Sequence, residues 1–308
     1  MQGLSLWKPG KTSIARASAF NRYNIGKFFE LLTDVFSKYN FPSHCVYNLV
    51  ETPVQCLPRQ ERSKLADNVC RDGVLVTLVG IACGSENTMP PAFVFPRANY
   101  KPQMLVGVPP GSLGLAHTSE WMPMSNFMLV IRYFVKYSKL TVEDPVLLVL
   151  DNHVTHLSFS VLDYAKNNHV HLLTMLLHTS NKTQPLDRTI FGPAKCVFNV
   201  LLSSRVKDHP HQPVTIYDMA WLMGSSFLSA ATPQNIIRGF KTGGNCPLKP
   251  NIFIDANFDP SKVTDQQSVS EYGSESAVFV ELTDTSASDS ATSKGVVSPR
   301  DFKGFPKA

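Results

Sequence analysis

Between Val146 and Lys195 the chain reads VLLVLDNHVTHLSFSVLDYAKNNHVHLLTMLLHTSNKTQPLDRTIFGPAK, and short apolar runs alternate there with segments of helical character. PVLLVLD is apolar throughout its middle, as a strand covered on both faces must be. FSVLDYAKNN follows as a helix and VHLLTML as a second strand. A further helix starts at Gln184-Pro185, where proline suits the first helical position. Strand, helix, strand, helix implies an α/β fold, a mixed or parallel sheet with helices on its faces. Ligand and catalytic groups in such sheets gather at the carboxyl ends of strands, and Asp151 stands at such an end. Asp187 falls in the first turn of the helix opened by Pro185, where unpaired N–H groups and the dipole favour a negative charge. Two carboxylates so placed form part of a layout for divalent metal ions. Taken singly, Asp151-Asn152 also has the composition of a turn and Asp187 that of a cap.

The remaining segments extend the pattern. Phe20 to Asn40 places Ile25, Phe28, Phe29, Leu32, Val35 and Phe36 on one stripe of an amphipathic helix. Cys45 to Val50 is a short β-prone run closed by Glu51-Thr52-Pro53. Val74 to Cys83 predicts a strand buried on both faces, and Pro90 to Pro96 a shorter one between prolines. Gly- and Pro-rich loops are expected through Leu115, then a helix from Ser125 to Ser138 with Ser125 as its cap. Beyond residue 210 one or two helices are expected, with a loop at Ala231-Thr232-Pro233. After Asn257 the chain is rich in Ser, Thr and Asp and poor in large apolar residues, so it is expected to be disordered, with a short interaction motif at Ala277 to Leu282. The organisation predicted is a helical lead-in over 1–40, a core over 41–258 and a tail over 259–308.

At 308 residues and 43% hydrophobic content the chain has the material for a full core. From Ser261 onward five Lys/Arg face seven Asp/Glu, a net of −2, which leaves +7 for residues 1–260 out of the whole chain's +5. A basic body suits a nucleic-acid partner electrostatically. The six cysteines form no CxxC pair, as expected of reduced thiols, and no stretch approaches the ~20 apolar residues of a membrane span. A soluble intracellular protein is the expectation. His153 and His156 have HxxH spacing, but no cysteine or carboxylate set nearby in the sequence completes a tetrahedral zinc site with them.

Several blocks together resemble one family. Asp151-Asn152-His153 with His156, His178-Thr179-Ser180 followed by Gln184-Pro185-Leu186-Asp187, and Phe191-Gly192-Pro193 with Lys195 are similar to the central block of the DDE superfamily endonuclease domain of pogo- and Tigger-type transposases, whose domesticated relatives include the jerky proteins and centromere protein B. The opening LSLWKPGKTSIARASAFNRYN, the PPAFVFPRANY and PPGSLGLAHTSEWM blocks, and ATPQNIIRGFKTGGNCPL resemble further family segments, so the likeness spans roughly residues 4 to 260. It implies an RNase H-like fold in which an Asp on the first strand, an Asp at the end of the fourth and an acid on a later helix hold two Mg²⁺ or Mn²⁺ ions for in-line displacement at phosphorus. Asp151 and Asp187 match the second and third acids. Asn152, His153, His156, His178 and Gln184 fall where groups that orient substrate or metal ligands are expected.

The first acid belongs in a motif resembling YNLDET, and here Tyr47-Asn48-Leu49-Val50-Glu51-Thr52 has valine in its place. Glu51 is the candidate substitute, but strand side chains alternate and position 51 faces away from position 50 unless the backbone bulges. At about 4 Å and an effective dielectric near 20, an ion–carboxylate contact involving a divalent cation is worth ~8 kcal/mol, and a residual loss of ~3 after water replaces the ligand is about a hundredfold. Other departures lie at Leu176-Leu177, Asn181 and Asn245-Cys246 and in the shortened stretch between Glu51 and Val74. Family members usually carry helix-turn-helix modules ahead of this domain, whereas Met1 here lies just before it, so sequence-independent contacts to DNA are expected. The resemblance thus implies a nuclear, DNA-binding domain disabled in catalysis. A residual Mg-dependent DNA endonuclease and a protein-interaction scaffold recruiting partners through the tail are the alternatives.

Overall fold

The computed structural model describes residues 14–55, 75–119, 122–138, 140–262, 277 and 279–280, and two helices come first among them. Helix α1 (Ile14–Ala19) is short; α2 (Arg22–Tyr39) buries Ile25, Phe28, Phe29, Leu32 and Val35 of the stripe its periodicity predicts and leaves Phe36 half-buried. Asn21 caps α2 by accepting the Asn24 N–H at 2.8 Å. Asn40 ends it in the left-handed region at φ 47°, its N–H donating to the Phe36 carbonyl at 2.7 Å.

Among the described residues the sheet has seven strands: β1 (Val46–Gln55), β2 (Leu75–Cys83), β3 (Ala92–Phe95), β4 (Leu113–Ala116), β5 (Val146–Leu150), β6 (Val170–Thr174) and β7 (Phe279–Val280), in the spatial order β4-β3-β2-β1-β5-β6-β7. The pairs β1/β2 and β2/β3 are antiparallel, while β1/β5 and β5/β6 are parallel, so the sheet is mixed as expected. Strands β3-β2-β1 form an antiparallel meander, and β5 and then β6 add in parallel beside β1, which is the RNase H-like order; β4 and β7 extend the two edges. Every residue of β5 and β6 is buried, because helices cover both faces there. Helix α3 (Met124–Ser138) buries Phe127, Val130, Ile131 and Phe134, and α4 (Phe159–Asn167) crosses from β5 to β6.

After β6 come α5 (Ser180–Thr183), α6 (Pro185–Thr189), α7 (Phe191–Asp208), α8 (Ile216–Ala230), α9 (Pro233–Gly243) and the short α10 (Asp259–Lys262). Gly80 of β2 lets α6, α7 and α8 settle onto the sheet. A Cβ at position 80 would lie 3.0 Å from Leu186 Cδ2 and from Phe227 Cε2, and 3.2 Å from Phe191. Since Gly80 pairs with Val50, Val50 shares the sheet face covered by α6, α7 and α8.

Four readings change in the structure. Strand β1 does not close at Glu51-Thr52-Pro53 but runs through them, in nine pairs with β2 from Tyr47 to Gln55. Its neighbour β5 pairs with Val46 to Asn48, so among the described residues β1 has one partner at Pro53 and the missing N–H is tolerated. The Gly- and Pro-rich stretch contains β4, paired in parallel with β3. Ser125 lies inside α3, which begins at Met124. Inside the stretch expected to be disordered, Phe279–Val280 pairs antiparallel with β6. The AVFVEL run is the most apolar part of the tail, and its Phe279 is buried against this chain's own His171 and Tyr39. Residues 56–74, where the shortened stretch falls, lie outside the described residues.

His171, 3% exposed on β6, is enclosed by Tyr39, Phe41 and Phe279. Burial pushes its imidazole down to about 4, with Lys38 and His169 acting in the same direction. A histidine depressed on folding holds its proton in the unfolded chain first, so stability falls as pH drops from the ordinary 6.5 towards 4. The full effect is up to roughly 3 kcal/mol. Urea unfolding at pH 7.5 and pH 4.5 is expected to show this loss, and His171→Phe to remove the part of the slope between those values that belongs to this ring.

Candidate functional site

Asp151 follows the last residue of β5. The parallel register matches Val46 with Leu147 and Asn48 with Val149, and continued two residues further it brings Val50 beside Asp151. Position 50 is therefore the place on β1 from which a side chain reaches the end of β5. It holds an apolar residue 5% exposed, facing α6 with Gly80 next to it.

Asn48 fixes the helix that carries Asp187. Its side chain is fully buried; Nδ2 donates to the Val149 carbonyl at 3.0 Å and Oδ1 accepts the Leu186 N–H at 3.2 Å. Gln184 adds a bond from Nε2 to the Leu49 carbonyl at 3.4 Å. These bonds seat the start of α6 on β1, with Pro185 in its first turn, so that Asp187 stands near the end of β5. The two aspartates sense one another electrostatically. Burial raises the Asp187 carboxyl above its usual range, Lys195 and Arg16 oppose that, Asp151 reinforces it, and a Ser180 hydrogen bond lowers it. For Asp151 burial also acts upward, but the hydrogen bond and charge of His156, helped by His153, hold the carboxyl below its ordinary value.

His156 is the centre of the second half of the site. The ring is 1% exposed, stacks on Phe127 with centroids 4.0 Å apart, and lies between two carboxylates. Nδ1 is 2.8 Å from Asp151 Oδ1 as an ion pair, its N–H better aligned on the Asp151 backbone carbonyl at 3.1 Å, and Nε2 is 3.1 Å from Glu51 Oε1. Burial alone would lower this imidazole, yet Asp151 and Glu51 raise it to about 9, so it is protonated at neutral pH and donates from both nitrogens. Glu51 is thereby committed on the face of β1 opposite Val50, as strand alternation predicts.

Of the other candidates, His153 bonds Thr155 Oγ1 at 2.7 Å and its ring stands 5.5 Å from that of His156. Asn152 is half-buried, and His178 is exposed with φ 62°. Neither joins the hydrogen-bond network around the aspartates among the described residues. Gln184 is a tie to β1, with its Oε1 buried and unpartnered. The bridging role of His156 and the pinning role of Asn48 are not signalled by spacing, since each joins residues about a hundred positions apart.

As a metal centre the arrangement is incomplete. Asp151 turns one oxygen to His156, Asp187 is partly buried beside it, and position 50 offers no donor. Among the described residues, no trio of His, Cys, Asp or Glu donors that includes either aspartate falls within 4.8 Å. Two carboxylates fit one hydrated divalent ion. They do not fit a pair bridged by shared carboxylates.

A family model described as DDE superfamily endonuclease matches residues 72–240, more than half of the chain, a span that includes Asp151 and Asp187 but not Val50. Among curated proteins the chain is 28% identical over 125 residues to one from Cochliobolus lunatus named MFS-type transporter clz9, a match covering 40% of this chain and 14% of that protein. The chain thus spans a small part of that relative, and no helix among the described residues is long and apolar enough to cross a membrane. Among solved structures, the pre-cleavage Mos1 transpososome is similar at TM-score 0.45 and 11% identity, covering 88% of this chain and 68% of that one. The Mos1 mariner paired end complex with Mn gives 0.46 and 14%, covering 80% and 64%, and the catalytic domain of Mos1 mariner transposase gives 0.43 and 11%, covering 77% and 92%.

Removing the bridging ring tests the local energetics. His156→Ala is expected to destabilise the fold by about 3 kcal/mol, because Glu51 keeps a partly buried charge without its partner. In a double-mutant cycle with Glu51→Ala, urea unfolding is expected to give a coupling above about 1 kcal/mol.

Proposed function

This chain belongs to the DDE superfamily endonuclease family, and on that premise we propose that it is a transposase-derived nuclear domain that binds DNA and has lost efficient strand cleavage at Val50. The observation that carries the reading is the pairing of faces on β1: Val50 occupies the position beside Asp151, while Glu51 points to the other face and is held by His156. Asp151 and Asp187 would hold a single Mg²⁺ or Mn²⁺ with weakened affinity, and such an ion supplies charge neutralisation at a phosphate oxygen. His156 keeps one oxygen of Asp151 turned inward. Asn48 and Gln184 keep Asp187 in place whether or not an ion is bound.

Attraction to the DNA backbone rests on the basic body and on α6 and α9. Arg188 and Arg238 lie near each other and both are exposed; burial of the Arg188 stem first, and then the charge of Arg238, lower the Arg188 guanidinium. Two guanidiniums in mutual repulsion gain from a bridging phosphate, which makes this corner, with Lys195 close to Asp187, the phosphate-facing side.

Supercoiled plasmid incubated with Mg²⁺ or Mn²⁺ is expected to stay intact with the wild-type chain and with Asp151→Asn, and to be nicked by Val50→Asp. Metal-dependent nicking by the wild type overturns the reading. Binding to a mixed-sequence duplex is expected to weaken linearly with the logarithm of salt, and Arg188→Gln or Arg238→Gln to lower that slope by about 1 each without changing sequence preference. Unchanged slopes would move the DNA contact to another face.

A further inference from the structure

The opposite end of the same two strands carries a second cluster of donor side chains. A single-turn 3₁₀ helix, Ser43–Cys45, leads into β1, and Asp144 stands two residues before β5. Because β1 and β5 are parallel and begin in register at Val46 and Leu147, the residues just ahead of each strand come together. A ring nitrogen of His44, the sulfur of Cys45 and a carboxylate oxygen of Asp144 all lie within 4.8 Å of one another, and no other trio of this kind occurs among the described residues. Cys45 is buried, whereas His44 and Asp144 are exposed at the mouth of a cleft of about 390 Å³ that all three line. Five residues of β5 at ~3.3 Å each separate this cluster from Asp151 by roughly 17 Å.

We propose that His44, Cys45 and Asp144 bind a zinc ion, with a water molecule from the cleft as the fourth ligand. Thiolate, imidazole and carboxylate are the donor types zinc selects, and the sulfur makes the set unsuited to Mg²⁺. Ligand atoms around a tetrahedral zinc stand about 3.3 to 3.8 Å apart, a distance the exposed His44 and Asp144 side chains reach by rotation. The surrounding backbone is already fixed. The Cys83 thiol donates to the carbonyls of His44 at 3.2 Å and Ser43 at 3.6 Å, the Gly84 N–H donates to the Val46 carbonyl at 2.8 Å, and Thr141 Oγ1 accepts the Asp144 N–H at 3.1 Å. The turn and the loop that carry the ligands are therefore held before any ion arrives. A bound ion clasps the start of β1 to the start of β5, so it stabilises the native chain as any ligand specific to the folded state does.

Co²⁺ in place of Zn²⁺ reports sulfur ligation by a thiolate-to-cobalt absorption band. The metal-free full chain is expected to take up one equivalent of Co²⁺ with this band, to release it on adding Zn²⁺, and to keep it in a large excess of Mg²⁺. Cys45→Ser should abolish the band. The conservative Asp144→Asn, at an exposed position that does not endanger folding, should weaken binding by at least about tenfold, the scale on which even outer partners of metal ligands act. Absence of the band in the wild type, or a band that survives Cys45→Ser, or Co²⁺ affinity unchanged in Asp144→Asn, overturns the site.

Discussion

Asn48 ties three elements together with one buried amide. It donates to Val149 in β5 and accepts from Leu186 at the start of α6 while sitting on β1. The Leu186 N–H lies in the first turn of α6, where it has no acceptor within the helix, and leaving it buried without a bond would cost on the order of 1 to 3 kcal/mol. The helix carrying Asp187 cannot slide along β1 without breaking the bond to Leu186, and the end of β5 cannot shift without breaking the bond to Val149. The relative placement of the two aspartates therefore depends on a residue that carries no charge and makes no direct contact with either among the described interactions.

With that frame fixed, β1 presents its two faces to different chemistry. Asn48, Val50 and Thr52 face α6 to α8, and Val50 is the member of this set beside Asp151. Leu49 and Glu51 face the other way, where His156 and Phe127 wait. Glu51 is held by an ion pair to a buried, protonated histidine, and recruiting it to the other face would cost that imidazolium one of its two carboxylate partners. The same two strands carry at their other end the His44, Cys45 and Asp144 cluster, with a softer donor set than the pair of aspartates.

Much of the architecture was legible locally. The apolar run of β5, the amphipathic stripe of α2 and the Pro185 helix start each rest on contacts or propensities within a few residues, and each forms where expected. The errors arose where tertiary context overrode composition. Pro53 looks like a strand end until one side of β1 is seen to lack a partner among the described residues, and the Gly- and Pro-rich stretch hides β4 because a four-residue strand needs only β3 to hold it. The tail's Phe279 joins the sheet because β6 would otherwise leave its outer edge and the His171 ring uncovered.

By itself the sequence determined the fold class, the positions of Asp151 and Asp187 at a strand end and a helix start, and the valine on β1, because periodicity, caps and motif order are properties of neighbouring residues. Only the tertiary structure decided that Val50 stands beside Asp151, that His156 bridges Asp151 and Glu51, and that His44 meets Asp144. Those relations join residues about a hundred positions apart. They are fixed by strand register and by buried hydrogen bonds such as those of Asn48, which no local pattern records.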